Sequence, residues 1–515
     1  MRVGGMEVDN SSQRNGKAGR PDKKKRKKAK NGTGKTESVK KVMKLSSPPE
    51  LVPADSRSGS EDEQEDEPGS LEAGDHALEW MIGPIEPAEF YKSYWEQKPL
   101  LVKRSDASYY KTVFSTKALE KIIKEQRVLY GKNLDVTSYD GGKRETHNPE
   151  GRVYPAVLWD FYNNGCSIRM LNPQTFHAGV WRLCATLQEH FQNMVGANVY
   201  LTPPGTQGFA PHWDDVEVFM LQLEGRKHWR LYGPRCEQER LPRHSSANLE
   251  QEDLGSPILE TTLEPGDLLY FPRGTIHQGD CLPDQHSLHI TISTYQRNSW
   301  TDLLSSLLPA ALATASRRDP RYRAGLPREL LLHAGRGRTG PGRKQSEITL
   351  RKLLHDLVDH ASLDAASDLL GKQLMRDVLP PALEAGEKAR TVVGDGERWH
   401  AGKSGVVNRV EVDPDTRVRL IRSTAVSLVE EEETVMAYYS TENTREYHEA
   451  EEQSIEVGLE LAPALEFLIA QYPAWTKVEE LPLPELEDRM KVAGDLWEKG
   501  IVMTSQPLTA HYDDP

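Results

Sequence analysis

The chain has 515 residues, more than one hydrophobic core normally supports, so its length predicts two or more domains. Hydrophobic residues make up 37% and charged residues 28%, a polar balance that predicts a stretch without a packed core. No apolar run approaches the roughly 20 residues that cross a bilayer, and the first residues lack the apolar centre of a secretory signal. The four cysteines form no Cys-x-x-Cys pair, which excludes a zinc ribbon and favours a reducing compartment.

The net charge of −13 is distributed unevenly along the chain. Residues 1–45 contain 15 Lys and Arg against 4 Asp and Glu, a local charge of +11 that leaves −24 for the rest. Positive charge is densest at 23–28, and an acidic stretch follows at about 50–75. Because such blocks repel themselves and have little to bury, residues 1–77 are predicted to be a disordered tail. A solvated tail is the simplest interpretation of the basic block, but we favour a nuclear or nucleolar address that contacts nucleic acid.

A packed domain is predicted to begin near residue 78, where aromatic residues become frequent. Residues 176–195 carry one apolar stripe at helical spacing, which predicts an amphipathic helix. From 196 to 297, short runs of β-branched, aromatic and leucine residues are separated by Gly, Pro and Asp, a pattern typical of a β-sandwich or barrel. The predicted strands are ANVYLT, EVFMLQLEG, KHWRLYG, DLLYFPRG and LHITIST.

Beyond residue 300 the spacing of apolar residues becomes helical, over 300–315 and 346–375. Strands are predicted near 418–423 and 433–440, and residues 464–504 predict the helices and short strand of a small winged-helix-like module. Acidic residues outnumber basic ones in that module, so we expect it to bind protein or pack internally rather than bind DNA directly. The apolar stripes of the 300–370 helices predict a symmetric homodimer: Leu303, Leu304, Leu307, Leu308, Leu353, Leu354 and Leu357.

A histidine and a carboxylate occur two positions apart in GFAPHWDDVEVF, just before a predicted strand. In an extended chain His212 and Asp214 point to the same side, so both reach a single ion. A second histidine, His277, lies 63 residues after Asp214, beyond a strand and a Pro/Gly turn that is expected to expose its side chain at the strand edge. Two imidazoles and one carboxylate form the facial triad that binds non-haem Fe(II) and leaves coordination positions open.

Taken alone, a His-x-Asp tripeptide is a weak signal, because a chain with 16 His and 78 acidic residues contains such tripeptides by chance. Asp215 is not the expected ligand, because it would face away from His212 in an extended segment. His286 and His289 are alternatives to His277 as the third ligand. Zn²⁺ accepts the same three ligands, so a zinc-binding cupin-like protein is a further interpretation of the triad.

A second group of residues supports the pocket interpretation. The strand KHWRLYG places Lys227 on the same face as Trp229 and Leu231, and a buried ammonium needs an anionic partner such as a bound dicarboxylate. A zinc site would not explain this lysine. Polar residues of two further strands share a face and are expected to line the same pocket: Asn198, Tyr200, His289, Thr291 and Ser293. The alternative is that these faces look out to water, as in a half-solvated antiparallel sheet.

Four segments together resemble the JmjC-type ribosomal oxygenases: SIRMLNPQTF, GFAPHWDDVEVFMLQLEGRKHWRLYGPR, PGDLLYFPRGTIHQ and SLHITISTYQRNSW. The resemblance extends from about residue 78 to the C-terminus, is densest over 165–300, and is strongest to the nucleolar branch of bifunctional lysine-specific demethylases and histidyl-hydroxylases. It implies a double-stranded β-helix of the cupin or jelly-roll type at 78–299, a helical dimerisation region at 300–375 and a winged-helix-like domain at 376–515.

The resemblance also implies functional residues. The iron ligands of the family fall on His212, Asp214 and His277, and Arg169 falls in its substrate channel. One visible departure is Trp213, where a tyrosine is expected, but this side chain is predicted to face outward between the ligands. The pocket for the cosubstrate 2-oxoglutarate falls on Asn198, Tyr200 and Lys227, with His289 and Ser293 nearby.

The implied activity is oxidation of a C–H bond by Fe(II), 2-oxoglutarate and O₂. The implied substrates are a histidine of a ribosomal protein, which would be hydroxylated, or a methylated lysine of histone H3, which would be demethylated. Both are expected in cationic tails or loops, which an acidic body attracts. Roles in ribosome biogenesis and in transcription from chromatin, with nuclear, nucleolar and nucleoplasmic localisation, follow from the same resemblance. The alternative is a non-catalytic scaffold with a JmjC fold, but the triad and the cosubstrate lysine are all retained.

Overall fold

The computed structural model of the protein describes residues 69–431, 433–446 and 451–511. Most of the predicted tail, residues 1–68, therefore lies outside the described residues. The described fold begins before the predicted domain start at 78, because a helix (α1, Ser70–Ile82) buries Gly74, Ala77 and Leu78. Among the described residues, the helices are too short or too polar to cross a membrane.

The region up to residue 294 is mainly β, with helices before and between the strands. After α1, its elements are α2 (Pro87–Ser93), β1 (Leu100–Val102), α3 (Thr116–Glu125), β2 (Leu134–Asp140), β3 (Lys143–Thr146), α4 (Pro155–Asn163), β4 (Ser167–Leu171), α5 (Ala178–Phe191), β5 (Val195–Thr202), β6 (Glu217–Gly225), β7 (Lys227–Tyr232), β8 (Leu259–Leu263), β9 (Leu268–Phe271), β10 (Ile276–Cys281) and β11 (Ser287–Thr294).

Two antiparallel sheets face each other in this region. The larger sheet has eight strands in the order β1-β9-β6-β11-β5-β4-β2-β3, and the smaller has three in the order β10-β7-β8. Neighbours in the sheets are far apart in sequence, as between β11 and β5 or β10 and β7. This arrangement confirms the predicted mainly-β, jelly-roll-like core.

Successive residues along the strands of the larger sheet point to opposite sides, so the sheet contributes to two apolar cores, one on each side. In β11, Leu288, Ile290 and Ile292 pack into the core that the sheet forms with the N-terminal helices. His289 and Thr291 alternate with them, so they face the space between the two sheets. There a smaller core forms at one end, from Val218, Met220, Trp229, Leu231, Leu263, Leu269 and Phe271. The polar residues of the site lie in the same space, and Met220 and Trp229 belong to both this core and the site cavity.

Helices dominate from residue 300, and a mixed region follows. The elements are α6 (Trp300–Arg318), α7 (Leu330–His333), α8 (Pro341–Asp356), α9 (Leu363–Asp377), α10 (Ala385–Lys388), β12 (Arg398–His400), β13 (Gly405–Val407), β14 (Arg409–Val410), β15 (Arg417–Leu420), β16 (Val426–Glu431), β17 (Thr434–Tyr439), β18 (Ser454–Glu456), α11 (Ala462–Gln471), β19 (Thr476–Lys477), α12 (Leu486–Glu498), β20 (Val502–Thr504) and β21 (Ala510–His511). β15 pairs with β19 and β20, and α11 and α12 pack with this sheet around one core. These elements confirm the winged-helix-like module.

The C-terminal module is joined to the β core through a buried carboxylate. Glu189 in α5 accepts hydrogen bonds from the hydroxyl groups of Ser70, Ser423 and Thr424. Glu189 is 3% exposed, so these donors provide the partners that a buried carboxylate requires. The N-terminus of α1, α5 and the module are thereby fixed to one another.

Candidate metal centre and active site

Two histidines are placed side by side by a short backbone bridge. The amide of His277 donates to the carbonyl of His212 at 2.9 Å, and the amide of His212 donates to the carbonyl of His277 at 3.3 Å. This reciprocal pairing is that of an antiparallel bridge, in which the two side chains stand next to each other. Their ring centroids are accordingly 4.4 Å apart.

Asp214 completes a group of three ligands. Its carboxylate oxygens lie 3.8 Å from Nε2 of His212 and 3.7 Å from Nε2 of His277. The turn before β10 holds this segment in place, because the amide of Gly274 donates to the carbonyl of Asp214 at 3.0 Å. The three ligand atoms all lie within 4.8 Å of one another, so they converge on one point as the sequence predicts.

Hydrogen bonds at the other ring nitrogens prepare both histidines for a metal. Nδ1 of His212 is 2.9 Å from the carbonyl of Ala210, and Nδ1 of His277 is 3.1 Å from the carbonyl of Thr275. A carbonyl only accepts, so each Nδ1 carries the proton and each Nε2 lone pair is free to bind a cation. Carbonyl partners of this kind fix the ring orientation in many metal sites.

The prediction that the turn exposes His277 is wrong. The residue is 4% exposed, because Phe271 packs against its ring with a centroid distance of 4.7 Å and Trp229 lies beyond. Burial, reinforced by the neighbouring His212, lowers the pKa of His277 to about 4. The imidazole is therefore neutral at physiological pH, the form that ligates metals.

The alternative ligands lie elsewhere. His286 pairs with Glu224 at 3.1 Å, and Asp215 accepts a hydrogen bond from Ser245 at 2.7 Å. His289 lines the same cavity as the triad but is stacked on Tyr200, with a centroid distance of 4.8 Å, and does not join the group of ligand atoms. The structure thus brings His277, rather than these residues, to the first two ligands.

Lys227 lies in the same cavity and is buried as predicted. It is 3% exposed, and its Nζ donates to Thr202 Oγ1 at 3.2 Å and lies 5.0 Å from the ring centroid of Trp229. Within the described part of the chain the ammonium forms no ion pair. Burial lowers its pKa to about 8, because the nearby Cys281 and Asp280 only partly offset the cost of burying the charge.

Other polar atoms in the cavity also lack partners. His289 Nδ1, Thr291 Oγ1 and Trp229 Nε1 are buried without a hydrogen bond to any described residue, and all three residues line the cavity. Buried polar groups normally have partners, so these atoms and the lysine indicate a polar, anionic ligand. The polar faces of β5 and β11 therefore enclose a cavity rather than look out to water.

The remaining predicted residues are near the cavity but do not line it. Asn198 and Ser293 share the polar face of the sheet with Tyr200 and His289: Asn198 pairs with the cavity residue Thr291, and Ser293 lies two residues farther along β11. Arg169 interacts with Tyr200 and forms an ion pair with Asp135. Trp213 turns away from the cavity, and its Nε1 donates to the carbonyl of His244 at 3.2 Å.

Phe209 and Gly279 are among the cavity residues that were not predicted from the sequence. Phe209 contacts both Tyr200 and His212, with centroid distances of 5.5 and 6.4 Å. Gly279 pairs with Trp229 across β10 and β7, and a Cβ at this position would lie 2.8 Å from the indole ring. The available signal was alternation, because Gly279 lies two residues after His277 and thus on the same strand face.

The residues present fit Fe(II) and 2-oxoglutarate. His212, Asp214 and His277 provide the two-histidine, one-carboxylate ligand set with space beside it. Lys227 provides a positive charge for a carboxylate, and the unpartnered polar atoms of His289, Thr291 and Trp229 belong to residues that line the same cavity. The cavity can therefore hold a metal ion at one end and an anionic cosubstrate against the lysine.

Comparisons with known families match two parts of the chain. The JmjC domain matches residues 169–303, which contain the metal centre and Lys227. The C-terminal winged helix domain of ribosomal oxygenase 1 matches residues 379–508.

Similar proteins extend over most of the chain. Ribosomal oxygenase 1 of Danio rerio is 50% identical over 445 residues, which cover 86% of this chain and 81% of that protein. The bifunctional lysine-specific demethylase and histidyl-hydroxylase NO66 of Branchiostoma floridae is 49% identical over 443 residues, which cover 85% and 69%. Among solved structures, the Escherichia coli ribosomal oxygenase YcfD in complex with cobalt and 2-oxoglutarate is 16% identical, with a TM-score of 0.43, and the match covers 82% of this chain and 99% of that one.

Proposed function

This chain belongs to the JmjC-type ribosomal oxygenase family, and on that premise we propose that it hydroxylates a histidine side chain of a ribosomal protein. It is an Fe(II)- and 2-oxoglutarate-dependent oxygenase. The observation that carries the proposal is the convergence of the metal triad and the unpaired ammonium of Lys227 in one cavity. A non-catalytic scaffold would have no need of either feature.

The residues of the cavity have separate tasks. His212, Asp214 and His277 would hold Fe(II), and the neutral state of His277 keeps its Nε2 available. Lys227 would bind the distal carboxylate of 2-oxoglutarate in the cavity that the stacked rings of Tyr200 and His289 also line. When bound, iron and 2-oxoglutarate supply the oxidising chemistry that uses O₂ to hydroxylate a C–H bond. The protein supplies position, charge and a dry surrounding.

Demethylation of a methylated lysine of histone H3 is the second candidate. It is supported by the name of the Branchiostoma floridae relative, a bifunctional lysine-specific demethylase and histidyl-hydroxylase. The same cavity would oxidise an N-methyl group in place of a histidine carbon. Histone demethylation would connect the enzyme with chromatin and transcription, whereas histidine hydroxylation would connect it with ribosome biogenesis.

Turnover of 2-oxoglutarate to succinate distinguishes these candidates. Purified protein with Fe(II) is incubated with a histidine-containing loop peptide of a ribosomal protein or with a methylated histone H3 tail. We expect succinate formation above the peptide-free rate with the ribosomal peptide, and a mass increase of one oxygen on its histidine. Stimulation by the histone peptide alone would favour demethylation. No turnover with either peptide, or equal turnover by Asp214→Ala, would favour the scaffold.

The basic segment supports a nuclear site of action. We infer localisation to the nucleus, with nucleolar and nucleoplasmic pools, from the cluster of Lys and Arg at 23–28. The acidic balance of the remaining chain suits cationic substrates such as ribosomal proteins and histones. The module of α11 and α12 has the opposite charge from a DNA-binding domain, so direct DNA binding is not part of the proposal.

The helical region supports a homodimer. Trp300, Leu304, Leu308 and Leu312 repeat every fourth residue in α6 and are 78%, 43%, 48% and 50% exposed. Apolar residues at this spacing form one stripe, and such a stripe normally packs against a partner. We infer that a second copy of the chain covers it across a two-fold axis.

Light scattering tests this dimer. We expect the wild-type protein to be a dimer at micromolar concentration and Leu308→Glu to be monomeric, because a charge would be buried in the interface. Ala313→Glu is a matched control, since Ala313 is exposed on the opposite side of α6. A monomeric wild-type protein, or equal effects of the two substitutions, would contradict the dimer.

A further inference from the structure

Two arginines lie together next to the active-site cavity. The guanidinium carbons of Arg144 in β3 and Arg169 in β4 are 4.5 and 5.3 Å from the ring centroid of Phe209. Phe209 contacts Tyr200, and both of these rings line the cavity that contains the metal ligands. Both arginines are partly exposed, so they lie between the cavity wall and solvent.

A single carboxylate, that of Asp135, lies near both guanidinium groups, but only Arg169 is paired with it. Arg169 donates to Oδ2 of Asp135 from both Nη2 and Nε, the latter at 3.2 Å. Asn148 donates to Oδ1 of the same carboxylate at 2.7 Å. Both carboxylate oxygens of Asp135 therefore already accept hydrogen bonds, from Arg169 and from Asn148. Arg144 and Arg169 together carry two positive charges, whereas Asp135 carries one negative charge.

Arg144 is left without an acceptor. It forms no ion pair within the described ranges, and its Nε is buried without a hydrogen-bond partner. Burial, and then repulsion by Arg169, lowers the pKa of Arg144. A guanidinium holds its N–H donors in a fixed planar arrangement and keeps its proton in proteins. Because the Arg144 guanidinium has no acceptor among the described residues, it favours an oxygen acceptor from another molecule.

The strand position leaves room for such an acceptor. β3 is the last strand of the eight-stranded sheet, so its outer edge pairs with no described strand. Arg144 pairs with Tyr139 across the β2–β3 hairpin, and this backbone pairing fixes the position of the Arg144 Cα atom. An extended polypeptide that lies along this open edge would pass Arg144.

We propose that Arg144 forms a subsite that binds an oxygen acceptor of the polypeptide substrate close to the target residue. The acceptor is a carboxylate side chain or a main-chain carbonyl, and Arg169, already paired with Asp135, also lies against the Phe209 ring. The subsite rests on the proposed function, because it concerns the substrate of the same cavity. It follows that a cationic residue next to the target is disfavoured, even though the whole body is acidic.

Peptide binding tests the subsite independently of turnover. Three synthetic peptides carry one central histidine flanked on both sides by Glu, by Gln or by Lys. Their affinities are measured by fluorescence anisotropy on full-length protein loaded with Mn(II) and 2-oxoglutarate. We expect the wild type to bind the Glu peptide best and the Lys peptide worst, and Arg144→Gln to weaken the preferred peptide by about tenfold or more, the value of a charged hydrogen bond.

Charge reversal gives the sharper result. Arg144→Glu is expected to reverse the order, so that the Lys peptide binds best, an outcome that loss of a merely structural contact would not produce. Lys143→Gln is the matched control, because it removes the same charge from the same hairpin at an exposed position beside Arg144. We expect it to change the three affinities by less than twofold.

Each outcome of these binding experiments either identifies the acceptor that Arg144 binds or contradicts the proposed subsite. Equal weakening of the Glu and Gln peptides in Arg144→Gln would identify a main-chain carbonyl as the acceptor, and weakening of the Glu peptide alone would identify a carboxylate. Equal effects of Arg144→Gln and Lys143→Gln, an unchanged order in Arg144→Glu, or no binding of any peptide to the wild type would overturn the proposal. If the binding pattern holds but succinate is not formed, the proposed function fails and the subsite stands.

Discussion

Replacing His212, Asp214 or His277 by alanine is expected to reduce succinate formation to background and to weaken metal binding by more than about a hundredfold. Even the outer partners of metal ligands contribute about 10–100-fold to affinity, so loss of a ligand should exceed that range. The fold should persist, because the large cores of the β region and of the C-terminal module do not include these residues. Mn(II) binding by calorimetry and thermal unfolding of each variant provide the two measurements.

Neighbouring residues provide matched controls for the triad. Asp215→Ala removes a carboxylate one position from Asp214, and His286→Ala removes an imidazole that pairs with Glu224. Both variants should bind metal with wild-type affinity. Retention of metal by His277→Ala, combined with its loss in His286→Ala or His289→Ala, would mean that the third ligand is wrongly assigned.

Alternation of polar and apolar residues predicted most of the site. Period-two patterns placed Lys227 with Trp229 and placed Tyr200 and His289 on inward-facing strand surfaces, because each side of an extended chain is fixed by covalent geometry. The same rule could not say how far along a strand the cavity extends. Ser293 shares the predicted face but lies two residues beyond Thr291, the last cavity residue of β11.

Features that depend on packing between distant segments were not available from the sequence. His277 is buried because Phe271 and Trp229, from two different strands, close over it. Arg144 and Phe209 come together only through the order β4-β2-β3 at the sheet edge and the loop before His212. The start of α1 was missed because an acidic, low-complexity segment precedes it, and its burial depends on α5 and the C-terminal module.

The cosubstrate assignment makes a second large prediction. Lys227→Ala should weaken 2-oxoglutarate binding by at least about tenfold, because a hydrogen bond to a charged group contributes roughly 1.5–3 kcal/mol and each 1.4 kcal/mol is about tenfold in affinity. Metal binding should change little, since Lys227 is not among the ligands. Calorimetry on protein loaded with Mn(II), which prevents turnover, measures both constants. Unchanged 2-oxoglutarate affinity would mean that the pocket is misassigned.

The pH dependence of this affinity identifies the lysine directly. Burial lowers the pKa of Lys227 to about 8. Without cosubstrate, its side chain is therefore fully protonated well below pH 8 and loses its proton above pH 8. A carboxylate binds the ammonium form, and the dissociation constant for 2-oxoglutarate should therefore rise as the pH increases through 8, approaching tenfold per pH unit. Lys227→Arg should bind more weakly than wild type, because a planar guanidinium must enter a space shaped for an ammonium. It should lack this pH dependence, because arginine stays charged throughout the range. The same pH profile in both proteins would assign the titration to another group.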